Sequence, residues 1–386
     1  MKNIHWIQGD TVCESPLFRR SFTVPALKAA RLEICGLGFF HLYVNGRRVG
    51  DEEFVPAVSN YTSVLGCRTV YPVWEERAFY RTYYLTYDLL PYLREGENVL
   101  GVQLGNGWYH QTRRTAEGDF IFGFPKLRYE LTLTTEEGEE FFLESDSSTL
   151  WTESEILENN LFYGETHDLS RLRPGWSAPG ASLDGWRPAM PVHAPETELT
   201  GQNCPPDRVI RKISPVLLGK WGGRRLYDCG ENITGWVDMR CFGKAGEEVA
   251  VRHSELLNAA GEGLEFFSTG GEGQIQQDRY LCAGEEAVVR PKFCWHGFRY
   301  FEVTGPGEPE SVSVVHCDVP VTSSFRCSDP VLNWLYKAYL RTQLGNLHCS
   351  IPSDCPHRER LGYTGDGQLA APAAMLTLGV REVYDK

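Results

Sequence analysis

The segment Pro352-Ser353-Asp354-Cys355-Pro356-His357-Arg358-Glu359-Arg360-Leu361-Gly362-Tyr363-Thr364-Gly365-Asp366 gathers three carboxylates, two arginines and an aromatic ring within fifteen positions. A carboxylate placed beside others is held protonated near neutral pH, because like charges resist joint ionisation. Glycoside cleavage needs such a group to protonate the departing oxygen. Composition by itself favours a plainer role, a solvated charged loop whose Asp366 caps the helix that follows. Both roles stay open at this point.

His348, Cys349, Cys355 and His357 are four zinc-ligand types within ten positions, but their spacing matches no finger or ribbon pattern, and burial suffices to explain Cys349. No metal is therefore assigned. The chain has no Walker A loop, no HExxH and no GxSxG elbow, which removes support for nucleotide hydrolysis and for those protease and esterase types. The cluster Gly270-Gly271-Glu272-Gly273 opens no helix and is expected to be a loop.

The elements that must position this segment change in kind along the chain. Strand signals dominate to about residue 325. His41–Val44, Asn45-Gly46 and Arg47-Arg48-Val49 spell a hairpin, since Asn-Gly accepts the positive φ angles of a type I′ turn. Leu127, Tyr129, Leu131 and Leu133 alternate with polar residues, giving a half-buried strand, and Phe141–Leu143 begins its return strand. Arg187–Asp207, with five prolines, is expected to be an interdomain linker. The run Phe293–Val303 is apolar or aromatic on both faces and fits a buried core strand better than an aromatic sugar platform. Ser328-Asp329-Pro330 then supplies a cap and a first-turn proline, and Leu332, Leu335, Tyr336 and Tyr339 mark one apolar helical face. A second helix is expected from Asp366 to about Leu378. The fold class is mainly β: two antiparallel β-sandwich domains followed by a short helical segment.

Length and charge bound the remaining classes. A chain of 386 residues exceeds what one core usually supports, so two or three domains are expected. Its net charge of −13 disfavours nucleic acid and anionic membranes as partners. The first residues form no signal-peptide h-region, and no stretch is apolar for long enough to span a bilayer. Twelve irregularly spaced cysteines fit reduced, buried thiols. A cytoplasmic location is expected, so the sequons at Asn60 and Asn232 carry little weight.

The loop from Asp354 to Asp366 resembles the acidic signature of bacterial α-L-rhamnosidases, in which Asp-Cys-Pro, an Arg, a Glu and Gly-aromatic-x-Gly-Asp follow in order. The resemblance continues upstream. Leu226–Trp236 is similar to the opening of that family's second β-domain, and Pro291–Val303, with His296-Gly297-Phe298-Arg299-Tyr300, to the strand that closes it. Val44-Asn45-Gly46, Gly105–Tyr109, Tyr163-Gly164-Glu165 and Pro174-Gly175-Trp176 match its N-terminal β-domain.

The resemblance implies a hydrolase that removes terminal α-L-rhamnose from glycosides with inversion, without a cofactor. Carried over by position, Glu359 is the general acid. Asp354 and Asp366 are sugar-binding carboxylates that help keep Glu359 protonated, Arg358 is a neighbouring site residue, and Tyr363 stands where the family often has tryptophan. Arg358 and Arg360 would oppose a raised pKa if their heads turned inward.

The implied domains are an N-terminal β-sandwich over 1–190, a linker over 191–207, a second, concanavalin-like sandwich over 208–320 and the start of an (α/α)6 barrel over 321–386. Twelve barrel helices of about 12 residues with loops of about five need roughly 200 residues. Val321 to Lys386 supplies 66. The barrel is expected to be incomplete and its general base, carried far downstream in the family, absent. A fragment, a split gene, or a non-catalytic carbohydrate-binding or assembly protein made of β-sandwiches would each fit. A second copy or a completing chain remains an open partner.

Overall fold

The computed structural model describes residues 5–59, 61, 81–113, 120–193, 195, 197–267 and 273–386. Asn60 and Gly270-Gly271-Glu272 lie outside the described residues. Two compact units emerge. The first comprises residues 1–112, 119–159 and 171–202, and the second residues 113–118, 160–170 and 203–386.

The first unit is a sandwich of two sheets. One contains Leu27–Leu37 paired with Lys126–Thr135 over ten residues, and the other has Gly96–Gly105 between Pro16–Val24 and Phe39–Val44. Ile7, Leu32 and Leu131 from the first sheet meet Phe18, Leu42, Val102 and Trp151 from the second in one apolar core. The expected alternation holds, since Leu127, Tyr129, Leu131 and Leu133 are all buried. Glu140–Glu144 returns beside them, with Leu143 opposite Leu131. Asn45 and Gly46 have φ of 51° and 80°, so the hairpin turn is the one their residue types favour.

The stretch expected as a linker is different. Arg187–Pro188, Met190–Val192 and Glu198–Gly201 are short strands on sheet edges of the first unit. Proline is tolerated there because an edge strand leaves half its N–H groups unpaired by the sheet. Pro191, for example, stands opposite Ile7. Glu198–Gly201 also runs parallel to Arg81–Asp88, so the pairing is not wholly antiparallel.

The second unit is built on one long strand, Arg224–Cys241, which pairs with His296–Thr304 and then, further along, with Gly307–Cys317. Gly235 has φ of 146°, and a Cβ there would lie 1.9 Å from the Ser313 carbonyl oxygen, so only glycine lets the two strands close up. Glu248–Ser254 and Gln276–Leu281 extend the sheet, and Gly164–Asp168 pairs in parallel with the latter. Residues 160–170 thus join this unit, inside the span expected for the first domain. Phe298 and Phe301 are fully buried with Val237, Met239 and Val312, so the expected core strand is present over His296–Thr304, with Phe293–Trp295 leading into it as buried irregular backbone.

Helix α1 covers Pro330–Gly345, with the Asp329 carboxylate accepting from Val331 N and Leu332 N and Pro330 in the first turn. Helix α2 covers Thr364–Thr377 and α3 Arg381–Asp385. Helix α2 therefore begins two residues earlier than expected, and Tyr363 stands at its N-cap. Ala374, Leu378, Val380 and Val383 pack with Cys317, Val319 and Leu347 in a small core. Among the described residues no helix is long and apolar enough to cross a membrane.

Candidate active site

The loop that carries the candidate chemistry runs from a tight hairpin, Leu347–His348 with Ile351–Pro352, to the start of α2. Asp354 clasps its two ends. Its backbone N–H donates to Leu361 O at 3.1 Å, and its Oδ1 accepts from Leu361 N at 3.3 Å. Asp354 Oδ2 accepts from the Cys355 thiol at 3.1 Å, and burial pushes that thiol's pKa up, so it remains a donor. Between these ends residues 356–359 form a turn, and the Glu359 N–H points at Cys355 Sγ, 3.4 Å away.

Glu359 is half-buried, and its Oε1 lies 2.8 Å from Nη2 of the exposed Arg358. Arg358 stays at the surface, with its guanidinium against the Glu359 carboxyl. Arg360 turns the other way. It is 2% exposed and donates to Trp295 O at 2.7 Å, to Gln276 Oε1 at 2.8 Å and to the Leu161 carbonyl. Burial pulls its pKa down to about 10, which leaves it a cation at neutral pH.

Tyr363, half-buried, and Asp366, exposed, open α2. The helix cap expected of Asp366 falls to position 363 instead, and the acid sits in the first turn, where the helix dipole favours negative charge. Asp354, Arg358, Glu359, Tyr363 and Asp366 therefore share one short stretch, in which the charged groups of Arg358 and Glu359 touch.

The four zinc-ligand types do not converge. His348 Nδ1 pairs with Asp207 at 2.6 Å, His357 faces Glu255 at 3.4 Å, and Cys355 faces Asp354. Among the described residues the group with metal-binding spacing is another one, His253, Asp278 and His296, with ligand atoms within 4.8 Å of one another. Its bonds are those of a packed core. His296 Nε2 meets Asp278 Oδ2 at 2.9 Å, His253 Nδ1 meets Gln276 O at 3.2 Å, and the two rings stack 4.1 Å apart. The Arg360 charge also acts on both rings, which disfavours a further cation there.

Sequence reasoning passed over the residues that hold the loop. Gln274, Gln276 and Asp278 are buried, while Ile275, Gln277 and Arg279 between them are less so. The polar side of this strand faces inward. The sequence carried no signal for this, because Gln276, Gln277, Asp278 and Arg279 are polar in a row and only their burial alternates.

Two β-sandwich units and a carboxylate loop opening a helical segment define a chain of the multidomain glycosidase class. Residues 25–211 match the alpha-L-rhamnosidase N-terminal domain, 221–319 the bacterial alpha-L-rhamnosidase concanavalin-like domain, and 320–386 the bacterial alpha-L-rhamnosidase 6 hairpin glycosidase domain. The chain belongs to the bacterial α-L-rhamnosidase family.

An alpha-L-rhamnosidase of Formosa agariphila is 32% identical over 374 residues, 92% of this chain and 37% of that protein. The solved alpha-L-rhamnosidase of Dictyoglomus thermophilum superposes with TM-score 0.86 at 31% identity, covering 99% of this chain and 43% of that one. The Streptomyces avermitilis enzyme, solved in complex with L-rhamnose, gives TM-score 0.86 at 28% identity, over 97% and 36% of the two chains. The chain spans little more than a third of the length of the curated relative it matches.

Proposed function

We propose that this chain is the β-sandwich and early catalytic part of an inverting α-L-rhamnosidase, with Glu359 as proton donor. One observation carries the reading. Glu359 ends the turn over 356–359, partly exposed to solvent, on the loop joining the first two helices of the segment similar to the six-hairpin glycosidase domain. In the reaction Glu359 gives its proton to the glycosidic oxygen as that oxygen's bond to the sugar breaks. Water adds to the opposite face and loses a proton to a second carboxylate, roughly 6.5–9.5 Å away, supplied by barrel sequence. Asp354, Arg358, Tyr363 and Asp366 are proposed to line the sugar subsite, Tyr363 offering its ring face. No cofactor enters the scheme.

The substrate class is a rhamnose-terminated glycoside, supported by the relatives' names and by the L-rhamnose complex of the Streptomyces avermitilis enzyme. The proposed location is the cytoplasm, where buried thiols such as Cys35, Cys241 and Cys317 stay reduced. The test uses the natural polypeptide that contains this segment. Nitrophenyl α-L-rhamnoside is added, and the anomer of the first-formed rhamnose is followed by proton NMR. Initial release of the β-anomer supports the reading, and initial release of the α-anomer, or no hydrolysis, overturns it.

A further inference from the structure

Glu359 is bracketed by residues tied to the second β unit. On one side, Gln274 Nε2 donates to the Arg358 carbonyl at 2.9 Å. On the other, the buried Arg360 guanidinium reaches Gln276 Oε1 and Trp295 O, and lies over the Trp295 ring at 5.2 Å. Gln276 is engaged at both ends of its amide. Its Oε1 also accepts from Gly297 N, and its Nε2 donates to Gly297 O, both at 2.9 Å.

The loop is pressed against that same strand. A Cβ at Gly297 would come within 3.0 Å of the Pro356 carbonyl carbon and 3.1 Å of His357 Cβ, so the glycine makes room for the turn that bears the acid. Arg360 itself has φ of 57°, in the left-handed region that a bulky residue keeps only when its surroundings hold it there. A cation buried against two carbonyls and an amide, with a strained backbone, is a poor way to gain stability. It is a good way to fix the residue before it.

On the reading of Glu359 as the proton donor, we infer that Gln274, Gln276, Gly297 and Arg360 form a seat that aims the Glu359 carboxyl, making the second sandwich a working part of the catalytic apparatus and Arg360 a positioning residue. Arginine is needed because its planar fork serves several acceptors at once, which a lysine cannot do.

The test compares Arg360→Lys, Gln274→Met and Glu359→Gln in the natural polypeptide carrying this segment. Each is assayed on nitrophenyl α-L-rhamnoside and on an alkyl α-L-rhamnoside, whose leaving group depends more on protonation. Competent sites are counted by calorimetric titration with L-rhamnose. A misaimed acid lowers kcat per rhamnose-binding site about 10-fold or more on the alkyl substrate and less on the nitrophenyl one, with KM within about twofold, a share of the 10²–10⁴ that general acid catalysis supplies.

A merely structural anchor lowers the number of sites and leaves kcat per site and the ratio of the two substrates unchanged, which overturns the inference. Gln274→Met, which removes the hydrogen bond to the Arg358 carbonyl, carries the test if Arg360→Lys does not fold. The two readings fail separately. If Glu359→Gln keeps the alkyl rate, the acid assignment falls. If Glu359→Gln abolishes it while Arg360→Lys and Gln274→Met leave the substrate ratio intact, only the seat falls.

Discussion

Asp207 Oδ2 lies 2.6 Å from His348 Nδ1, with both residues buried, so the start of a sheet strand holds the hairpin that leads into the acid loop. Asp207 Oδ1 also accepts from Cys349 N at 2.8 Å, and the His348 ring stacks 4.5 Å from Trp295. Cys349 and Ser350 both have positive φ, a conformation that Asp-Gly or Asn-Gly would adopt more readily. The Asp207 carboxylate and the Ser350 hydroxyl, which donates to Pro205 O at 2.8 Å, hold the turn in place.

Asp207→Ala should therefore destabilise the second unit by about 3–5 kcal/mol, the usual cost of stranding one partner of a buried pair. Urea denaturation followed by circular dichroism measures it. A loss under about 1 kcal/mol would show that the pair is not an anchor. A chain ending at residue 325 should still unfold cooperatively, but at lower urea than the full chain. It lacks His348 and uncovers Cys317 and Val319. An aggregated or non-cooperative product would show that the sandwich needs the helical segment to fold.

Glu359→Gln keeps the shape of the side chain and removes its transferable proton. In the natural polypeptide carrying this segment, hydrolysis of an alkyl rhamnoside should fall about 10²–10⁴-fold. On nitrophenyl rhamnoside the fall should be smaller, because nitrophenolate departs with little help. Equal losses on the two substrates would assign Glu359 to binding.

Stability should decline on acidification well before carboxylates titrate. Burial, then the neighbouring His296 ring, holds His253 down to about 3. Burial, then the Arg360 charge, keeps His296 far below its ordinary value. Near and below about pH 6.5 the unfolded chain binds protons at both rings and the folded chain does not. Their contribution is thus complete above that pH and is lost as pH falls toward about 3, by at most about 1.4 kcal/mol per unit per ring.

Asp278, whose pKa burial raises, takes up a proton sooner in the folded state and works against this slope. Urea midpoints at pH 7, 6 and 5 should fall steadily, and His253→Gln should flatten the trend whatever it does to the midpoint itself. The same slope in both proteins would rule out His253 as a source of it.

Local features were readable because their causes are local. Asn45-Gly46 forms its turn, Asp329-Pro330 starts its helix, and the Leu127–Leu133 stripe faces the core, each from residues within a few positions. The strands at Met190–Val192 and Glu198–Gly201 were not readable, because their partners are Trp6–Gln8 and Arg81–Asp88, far away in sequence. The seat of the acid loop failed for a sharper reason. Gln274, Gln276 and Arg360 break the rule that polar side chains face water, and they do so where they satisfy one another and the carbonyls on either side of Glu359. The motif marked the loop, while only the fold shows what holds it.

The 386-residue chain by itself should bind rhamnosides weakly and not hydrolyse them at an enzymatic rate. Inversion needs a base across the sugar from the acid, and Asp354 and Asp366 share the short loop of Glu359, with both Asp354 oxygens engaged inside it. The helices around that loop are also uncovered. Val331, Trp334 and Leu335 of α1 and Leu369, Met375 and Leu376 of α2 are exposed, Leu369 to 86%. Apolar faces of this kind bind dyes and one another, and they leave a sugar site less rigid than the half-ångström placement that catalysis requires. Purified chain should therefore enhance the fluorescence of an anilinonaphthalene dye and self-associate with rising concentration in sedimentation, and Trp334→Lys with Leu376→Lys should reduce both. Incubation with nitrophenyl α-L-rhamnoside should release no more nitrophenol than buffer does. Turnover by the chain that Glu359→Gln abolishes would overturn this expectation and assign the base to Asp354, Asp366 or a carboxylate of the β units.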